Sequence, residues 1–128
     1  MKKLLPILLS ALMLTGCAGT SNNHTNTYRS ITMDEAVDMM AKETGYIILD
    51  VRRPDEFAAG HIPNAINVPN ESIGTDEIPE LPDKNQLIMV YCRSGRRSKE
   101  ASEKLVKLGY TNIVEFGGIL DWKGEIET

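Results

Sequence analysis

The sequence lacks the residues that would mark several common classes of function. Its 128 residues carry a formal net charge of −4, so there is no basic surplus of the kind that nucleic-acid-binding proteins show. It has only two histidines and two cysteines, too few for a zinc site without several added carboxylates. We therefore expect one small domain, with no nucleic-acid partner and no bound metal.

A long hydrophobic run is also lacking. The apolar stretch at residues 4–14 follows two lysines and is too short to span a bilayer as a stable helix, so it predicts an export signal. The run Leu14-Thr15-Gly16-Cys17 resembles the lipobox of bacterial lipoproteins. This resemblance implies that residues 1–16 are a signal peptide and that Cys17 carries a lipid, with acyl chains such as palmitate. A plain secretory signal is the alternative.

The segment after the signal contains no large apolar residue between Ala18 and Thr27. We expect residues 17–29 to form the lipidated cysteine and a flexible tether, followed by the folded domain at 30–127. Because two or more acyl chains anchor a protein stably, this predicts a cell-envelope protein on the extracytoplasmic side of a bacterial membrane. Lipidation of Cys17 would leave Cys92 without a disulfide partner, as a potentially reactive thiol.

Beyond the tether, short apolar runs alternate with helical patterns. Strands are predicted near residues 29–31, 46–49, 65–68, 87–91 and 112–116. Helices are predicted after Thr32, over 54–59, after Ser98 as the capping residue, and as a last turn over 119–123. In the first helix, Thr32 and Glu35 match a capping box, and the apolar stripe is Met33, Ala36, Val37 and Met40. The alternation predicts a single α/β domain: a small, mostly parallel sheet with helices on both faces.

The segment around Cys92 carries the chemistry. A buried strand brings this cysteine to its carboxyl end, the edge at which open α/β sheets bind ligands. Gly95 permits a positive φ, so the loop N–H groups can turn toward the sulfur at the start of a helix. Three arginines follow within five residues of the thiol: Arg93, Arg96 and Arg97. Together these features favour the thiolate, which is the nucleophilic form.

Three segments resemble motifs of the rhodanese-like sulfurtransferase family, in the family's order. The loop that starts at Cys92 has glycine fourth and arginine sixth. The run at residues 50–69 resembles the family's first signature, and residues 108–113 and 117–122 resemble its closing segment. The similarity covers about residues 30–125, which is nearly the whole predicted domain.

This resemblance implies a rhodanese-like fold and no metal or organic cofactor. Cys92 would take a sulfane sulfur from a small anionic donor such as thiosulfate and pass it, through a persulfide, to a thiol or to cyanide. The residues implied to bind substrate or form the loop are Arg93, Ser94, Gly95, Arg96, Arg97 and Ser98. Arg93 and Arg97 are the candidates for holding the donor or locking the loop, whereas Arg96 is expected to face solvent.

Four other side chains have weaker assignments. Asp50 and Arg52 are expected to support the loop, with a purely structural ion pair as an equal alternative. Glu56 is interpreted as an ordinary helix residue whose carboxylate suits the helix dipole. We expect His61 to make a structural hydrogen bond rather than act as a general base.

Two other classes of function remain open. A phosphatase or arsenate reductase would use a cysteine, five residues and an arginine to hold an oxyanion, whereas four residues separate Cys92 from Arg97 here. A membrane-anchored sulfur carrier or protein-binding module, working with another exported protein, would need no thiosulfate turnover. Retention of the cysteine and the arginines favours the enzyme.

Overall fold

The fold is described by a computed structural model covering residues 27–128. The predicted signal peptide at 1–16, lipidation of Cys17 and the tether up to residue 26 lie outside these residues. No helix in the described part of the chain is long and apolar enough to cross a membrane. The first strand begins at Arg29, the last residue of the predicted tether.

The described residues form one five-stranded parallel sheet and three α-helices. The strands are β1 (Arg29–Ser30), β2 (Ile47–Asp50), β3 (Ile66–Asn67), β4 (Ile88–Cys92) and β5 (Ile113–Gly118). The helices are α1 (Met33–Lys42), α2 (Pro54–Ala59) and α3 (Arg96–Lys107), with 3-10 turns at Asn70–Ser72 and Ile119–Asp121. The strand order is β1-β5-β4-β2-β3, and all four pairings are parallel. The predicted fold class is confirmed, with β4 at the centre and β1 at an edge.

The sheet separates two apolar cores because neighbouring residues of a strand face opposite sides. One core contains Val90 and Cys92 of β4 and packs against Ala101 and Leu105 of α3. The other contains Tyr91 of β4 and packs against residues of α1 and α2. Helices therefore cover both faces, as predicted, and Cys92 lies on the face that α3 covers.

The helix starts confirm one prediction and correct another. The Thr32–Glu35 capping box is present at α1, but Val37 of its predicted apolar stripe is 48% exposed. In α3 the helix begins three residues earlier than predicted, with Gly95 rather than Ser98 at the N-cap. The Ser98 hydroxyl faces inward instead and donates to the Gly95 carbonyl at 2.8 Å. The helix therefore begins closer to the cysteine than the predicted cap implied.

Gly117 and Gly118 are the last two residues of β5. The register between β4 and β5 shifts between Val90 and Cys92, where Cys92 pairs with Gly118. Such irregularities re-aim side chains next to functional sites, and here the shift lies at the cysteine.

Candidate active site

Cys92 ends the central strand and is almost fully enclosed. Its residue is 1% exposed, and the Gly95 backbone N–H donates to its Sγ at 3.0 Å. Gly95 reaches this position with a φ of 124°, a conformation that favours glycine. The structure therefore turns the loop toward the sulfur, as the sequence predicted.

The start of α3 adds further donors on the same loop. The Lys99 N–H donates to the Gly95 carbonyl at 3.2 Å, which leaves the amides of Arg96, Arg97 and Ser98 without a carbonyl four residues back in the helix. A helix N-terminus carries partial positive charge. The loop and the first turn of α3 therefore offer backbone donors and partial positive charge of the kind that favours an anion.

Gly118 holds the beginning of the loop against the end of β5. A Cβ atom at Gly118 would lie 2.0 Å from the Arg93 carbonyl oxygen, so only glycine permits this approach. The Leu120 N–H donates to the same oxygen at 3.2 Å. The closing motif therefore holds the beginning of the loop in place, a role that was not predicted from the sequence.

A cleft of about 580 Å³ opens above Cys92. Its lining combines positive, negative and amide side chains: Arg53, Glu56, Asn70, Glu71, Cys92, Arg93, Ser94, Arg96, Arg97 and Glu100. The structure thus brings together Cys92, Arg93, Ser94, Arg96 and Arg97 at one site, while Ser98 lies below it, fully buried. The cleft is larger than thiosulfate alone needs.

The arginines of the cleft differ in how far their charge is already compensated. Arg96 pairs with Glu100 at 3.0 Å, and Arg97 pairs with Glu56 at 2.7 Å. Arg93 makes no ion pair with any carboxylate of residues 27–128 and is exposed. Arg93 and Arg97 were the two arginines expected to hold an anionic donor or lock the loop. The charge of Arg93 is available to an anion, whereas Arg97 is held by its ion pair with Glu56.

Glu56 is a site residue that the sequence analysis treated as ordinary. Its carboxylate accepts hydrogen bonds from both terminal nitrogens of Arg97, at 2.7 and 3.2 Å, and from the Arg53 backbone at 3.0 Å. The hydrogen bond from Arg97 is the main cause that lowers the pKa of Glu56 to about 2, and it raises that of Arg97. The pair fastens the loop to α2.

Asp50 and Arg52 form a buried ion pair behind the loop. Arg52 Nη2 lies 2.7 Å from Asp50 Oδ2 and also donates to the Gly60 carbonyl at 2.7 Å. The Tyr91 hydroxyl donates to Asp50 at 2.7 Å. Burial alone would lower the pKa of Arg52, but the hydrogen bonds and charge of Asp50 outweigh it and the net shift is upward. Within the described chain these contacts reach the residue before Cys92 and not the loop itself.

His61 lies apart from the cleft lining. Its Nδ1 lies 2.9 Å from the Phe57 carbonyl oxygen, and the two rings stack with centroids 3.8 Å apart. The expected structural hydrogen bond is therefore present. Within residues 27–128 no three His, Cys, Asp or Glu side chains come together as metal ligands.

Comparisons with known proteins agree with this fold. The rhodanese-like domain family matches residues 32–125. The thiosulfate sulfurtransferase PspE of Escherichia coli K12 is 38% identical over 73 residues, which are 57% of this chain and 70% of that protein. A sulfurtransferase of Allochromatium vinosum is 36% identical over 84 residues, covering 65% of this chain and 77% of its own. A solved rhodanese with anions from E. coli superposes with a TM-score of 0.59 at 34% identity, covering 65% of this chain and 98% of that one.

Proposed function

The chain belongs to the rhodanese-like domain family, and on that premise we propose that it is a sulfurtransferase whose Cys92 carries sulfane sulfur as a persulfide. The donor is a small sulfur anion such as thiosulfate. The acceptor is a thiol or cyanide. This proposal uses only side chains and backbone groups of the chain itself.

The reaction has two displacement steps at the outer sulfur. The Cys92 thiolate attacks the sulfane sulfur of thiosulfate, an S–S bond forms at Sγ, and sulfite leaves with the electron pair of the bond that breaks. An acceptor thiolate or cyanide then attacks the outer sulfur of the persulfide, and the Cys92 thiolate leaves. Arg93 holds the anionic donor, and the Glu56–Arg97 pair keeps the loop in place.

The observation that carries the proposal is the Gly95 N–H at 3.0 Å from Sγ, within a loop that continues into the free amides of α3. Donors of this kind would stabilise the anionic outer sulfur atom of a persulfide on Cys92. The loop has four residues between Cys92 and Arg97, one fewer than the oxyanion-binding loop of the related phosphatases. The shorter loop favours one sulfur atom over a tetrahedral phosphate.

Intact mass measurement tests the persulfide directly. After treatment with thiosulfate, the protein should gain the mass of about one sulfur atom, because a nucleophilic thiolate takes up one sulfane sulfur. Dithiothreitol should remove the gain, and Cys92→Ser should never show it. A protein that gains no mass, or gains it equally with Ser at position 92, would refute the assignment.

Turnover separates an enzyme from a sulfur carrier. An enzyme releases sulfite and thiocyanate continuously when thiosulfate and cyanide are both present. A carrier would take up one sulfur and release it only to a partner protein. Hydrolysis of an aryl phosphate without any sulfur uptake would instead favour the phosphatase alternative.

We further propose that the protein works in the cell envelope, attached to a membrane by a lipid on Cys17. The support is the sequence alone, namely the short apolar stretch and the run Leu14-Thr15-Gly16-Cys17. Labelling of cells with a palmitate analogue should mark the native protein and not Cys17→Ser. Equal labelling of both, or of neither, would contradict this location.

A further inference from the structure

A buried carboxylate lies below the active-site loop and has no place in the reaction described above. Glu115 in β5 is 1% exposed, although a carboxylate in a sheet interior is costly unless it is well paired. Its Oε2 accepts from the Gly117 N–H at 2.7 Å, and its Oε1 accepts from the Ser30 hydroxyl at 2.9 Å. The remaining close partner of Oε2 is the Ser98 hydroxyl, at 2.7 Å.

Ser98 connects this carboxylate to the cysteine. Its Oγ lies 3.6 Å from Cys92 Sγ and 2.7 Å from Glu115 Oε2, and the side chain is fully buried. A hydroxyl has one proton to donate and can accept as well. When its proton points to Glu115, the oxygen can accept from the Cys92 thiol, so the three side chains form a continuous hydrogen-bonded chain.

We propose that Cys92, Ser98 and Glu115 share one mobile proton, and that Glu115 stores the proton that Cys92 gives up when the thiolate forms. In the first arrangement the Cys92 thiol donates to Ser98, and Ser98 donates to the ionised carboxylate. In the second, the thiol proton has moved to Ser98 Oγ, and the former Ser98 proton has moved to Glu115 Oε2. The protonated carboxyl then donates to Ser98, and Ser98 donates to the thiolate.

Both arrangements contain the same number of protons. In each of them the side chains of Cys92, Ser98 and Glu115 are hydrogen-bonded to one another. The shift breaks the S–H bond and the O–H bond of Ser98 and forms one O–H bond on each of Ser98 and Glu115. Cys92 and Glu115 are both nearly inaccessible to solvent. The shift of the shared proton therefore allows a thiolate to form without moving a proton out to bulk water. Net charge in the buried region does not change, which avoids placing two anions side by side.

The neighbouring groups allow either arrangement. The Ser98 hydroxyl has a competing acceptor in the Gly95 carbonyl at 2.8 Å. Lys99 of α3 is the charged side chain that approaches the carboxylate, with Nζ 3.6 Å from Oε1. It approaches Oε1, whereas the proposed proton acceptor is Oε2. The Gly117 N–H can keep donating to Oε2 in both arrangements.

Sharing of a proton predicts a particular pH dependence of cysteine reactivity. Two coupled groups lose their protons in two steps that belong to the pair. In the intermediate range the pair holds one proton, and the fraction of molecules with a thiolate is constant. The logarithm of the alkylation rate should therefore rise, level off over at least about one pH unit, and rise again.

Alkylation with iodoacetamide, followed by mass spectrometry from about pH 4 to about pH 10, covers the ordinary range of carboxyl and thiol titration. We expect the two-step profile in the wild type and a single rise in Glu115→Gln, since the amide keeps the shape but cannot take the proton. Ser98→Ala should lower the plateau about tenfold, as the loss of a hydrogen bond to a charged group would. Glu103 is an exposed glutamate of α3, the helix that contains Ser98. Glu103→Gln is therefore the matched control and should keep the wild-type profile.

Infrared spectroscopy of the wild type gives a second readout that needs no variant to fold. At a pH within the plateau, alkylation of Cys92 should remove a protonated-carboxyl band together with the ultraviolet absorption of the thiolate. A single rise in the wild type, or an unchanged two-step profile in Glu115→Gln, would overturn the inference, as would the absence of that band.

The inference rests on the proposed function only because sulfur transfer is the reaction in which the thiolate would be used. Iodoacetamide reports on the proton, whereas the mass gain with thiosulfate reports on sulfur transfer, so the two can fail separately.

Discussion

Replacing Glu56 by glutamine tests the contact that fastens the active-site loop to α2. In the folded protein the pKa of Glu56 is about 2, against an ordinary value of 4.5, and the hydrogen bond from Arg97 is the main cause. A difference of this size would correspond to about 3 kcal/mol of folding free energy if it were expressed in full. The two side chains are 17% and 18% exposed at the edge of an open cleft, so solvent screens part of it. We expect Glu56→Gln to lower the free energy of unfolding at neutral pH by about 1–2 kcal/mol.

The pH dependence of that loss identifies its origin. Because the folded-state pKa of Glu56 is lowered, its stabilising contribution is complete above the unfolded value of 4.5 and disappears as the pH falls toward about 2. Urea unfolding at several pH values should therefore show wild type and Glu56→Gln differing at neutral pH and converging across this acidic range. The glutamine cannot titrate, so its own curve lacks this component.

Asp38→Asn is the matched control for the loss of a carboxylate. Asp38 pairs with Lys42 at 3.0 Å on the surface of α1, where both side chains are exposed, and such pairs contribute little. We expect no measurable change in unfolding for this variant. If Glu56→Gln were also unchanged at neutral pH, or if its deficit were the same at pH 7 and in acid, the ion pair would not be what stabilises the loop.

The other predictions concern the free arginine and the buried ion pair. Arg93→Ala should raise KM for thiosulfate about tenfold in steady-state kinetics with cyanide, because it removes a charge-assisted contact, whereas Arg96→Ala should change it little; equal effects would contradict the assignment of Arg93. Asp50→Asn should lower the free energy of unfolding by about 3–5 kcal/mol in urea titrations, since it leaves the buried Arg52 charge without its partner. Full stability together with lost turnover would instead show that Asp50 acts on the loop rather than on the fold.

The order of elements could be predicted because each depends on neighbouring residues. The Thr32–Glu35 capping box and the helix that begins at Pro54 are both set by residues within three or four positions. The apolar run that became β4 was recognisable for the same reason. The cysteine loop was equally local, so its turn at Gly95 was correctly expected.

Contacts between distant residues were not predictable in this way. Glu56 and Arg97 are 41 positions apart, and nothing in either segment names the other as its partner. Ser98 has the residue type and the place of a helix cap, but the loop already closes at Gly95. Its hydroxyl is drawn inward because Glu115 of β5 lies beneath it. These are tertiary effects, which override local preference.

The distribution of charge in the cleft depends in part on this distant Glu56–Arg97 contact. The loop alone, with three arginines beside a cysteine, suggests a strongly positive site. In the fold, Arg97 is neutralised by Glu56 from α2 and Arg96 by Glu100 from α3, which leaves Arg93 to attract an anion. Within residues 27–128, a cleft whose loop keeps one arginine outside an ion pair suits the small donor that we propose, which must enter, transfer one sulfur atom and leave as sulfite. The glutamates are therefore as much a part of the proposed function as the arginines that they pair with.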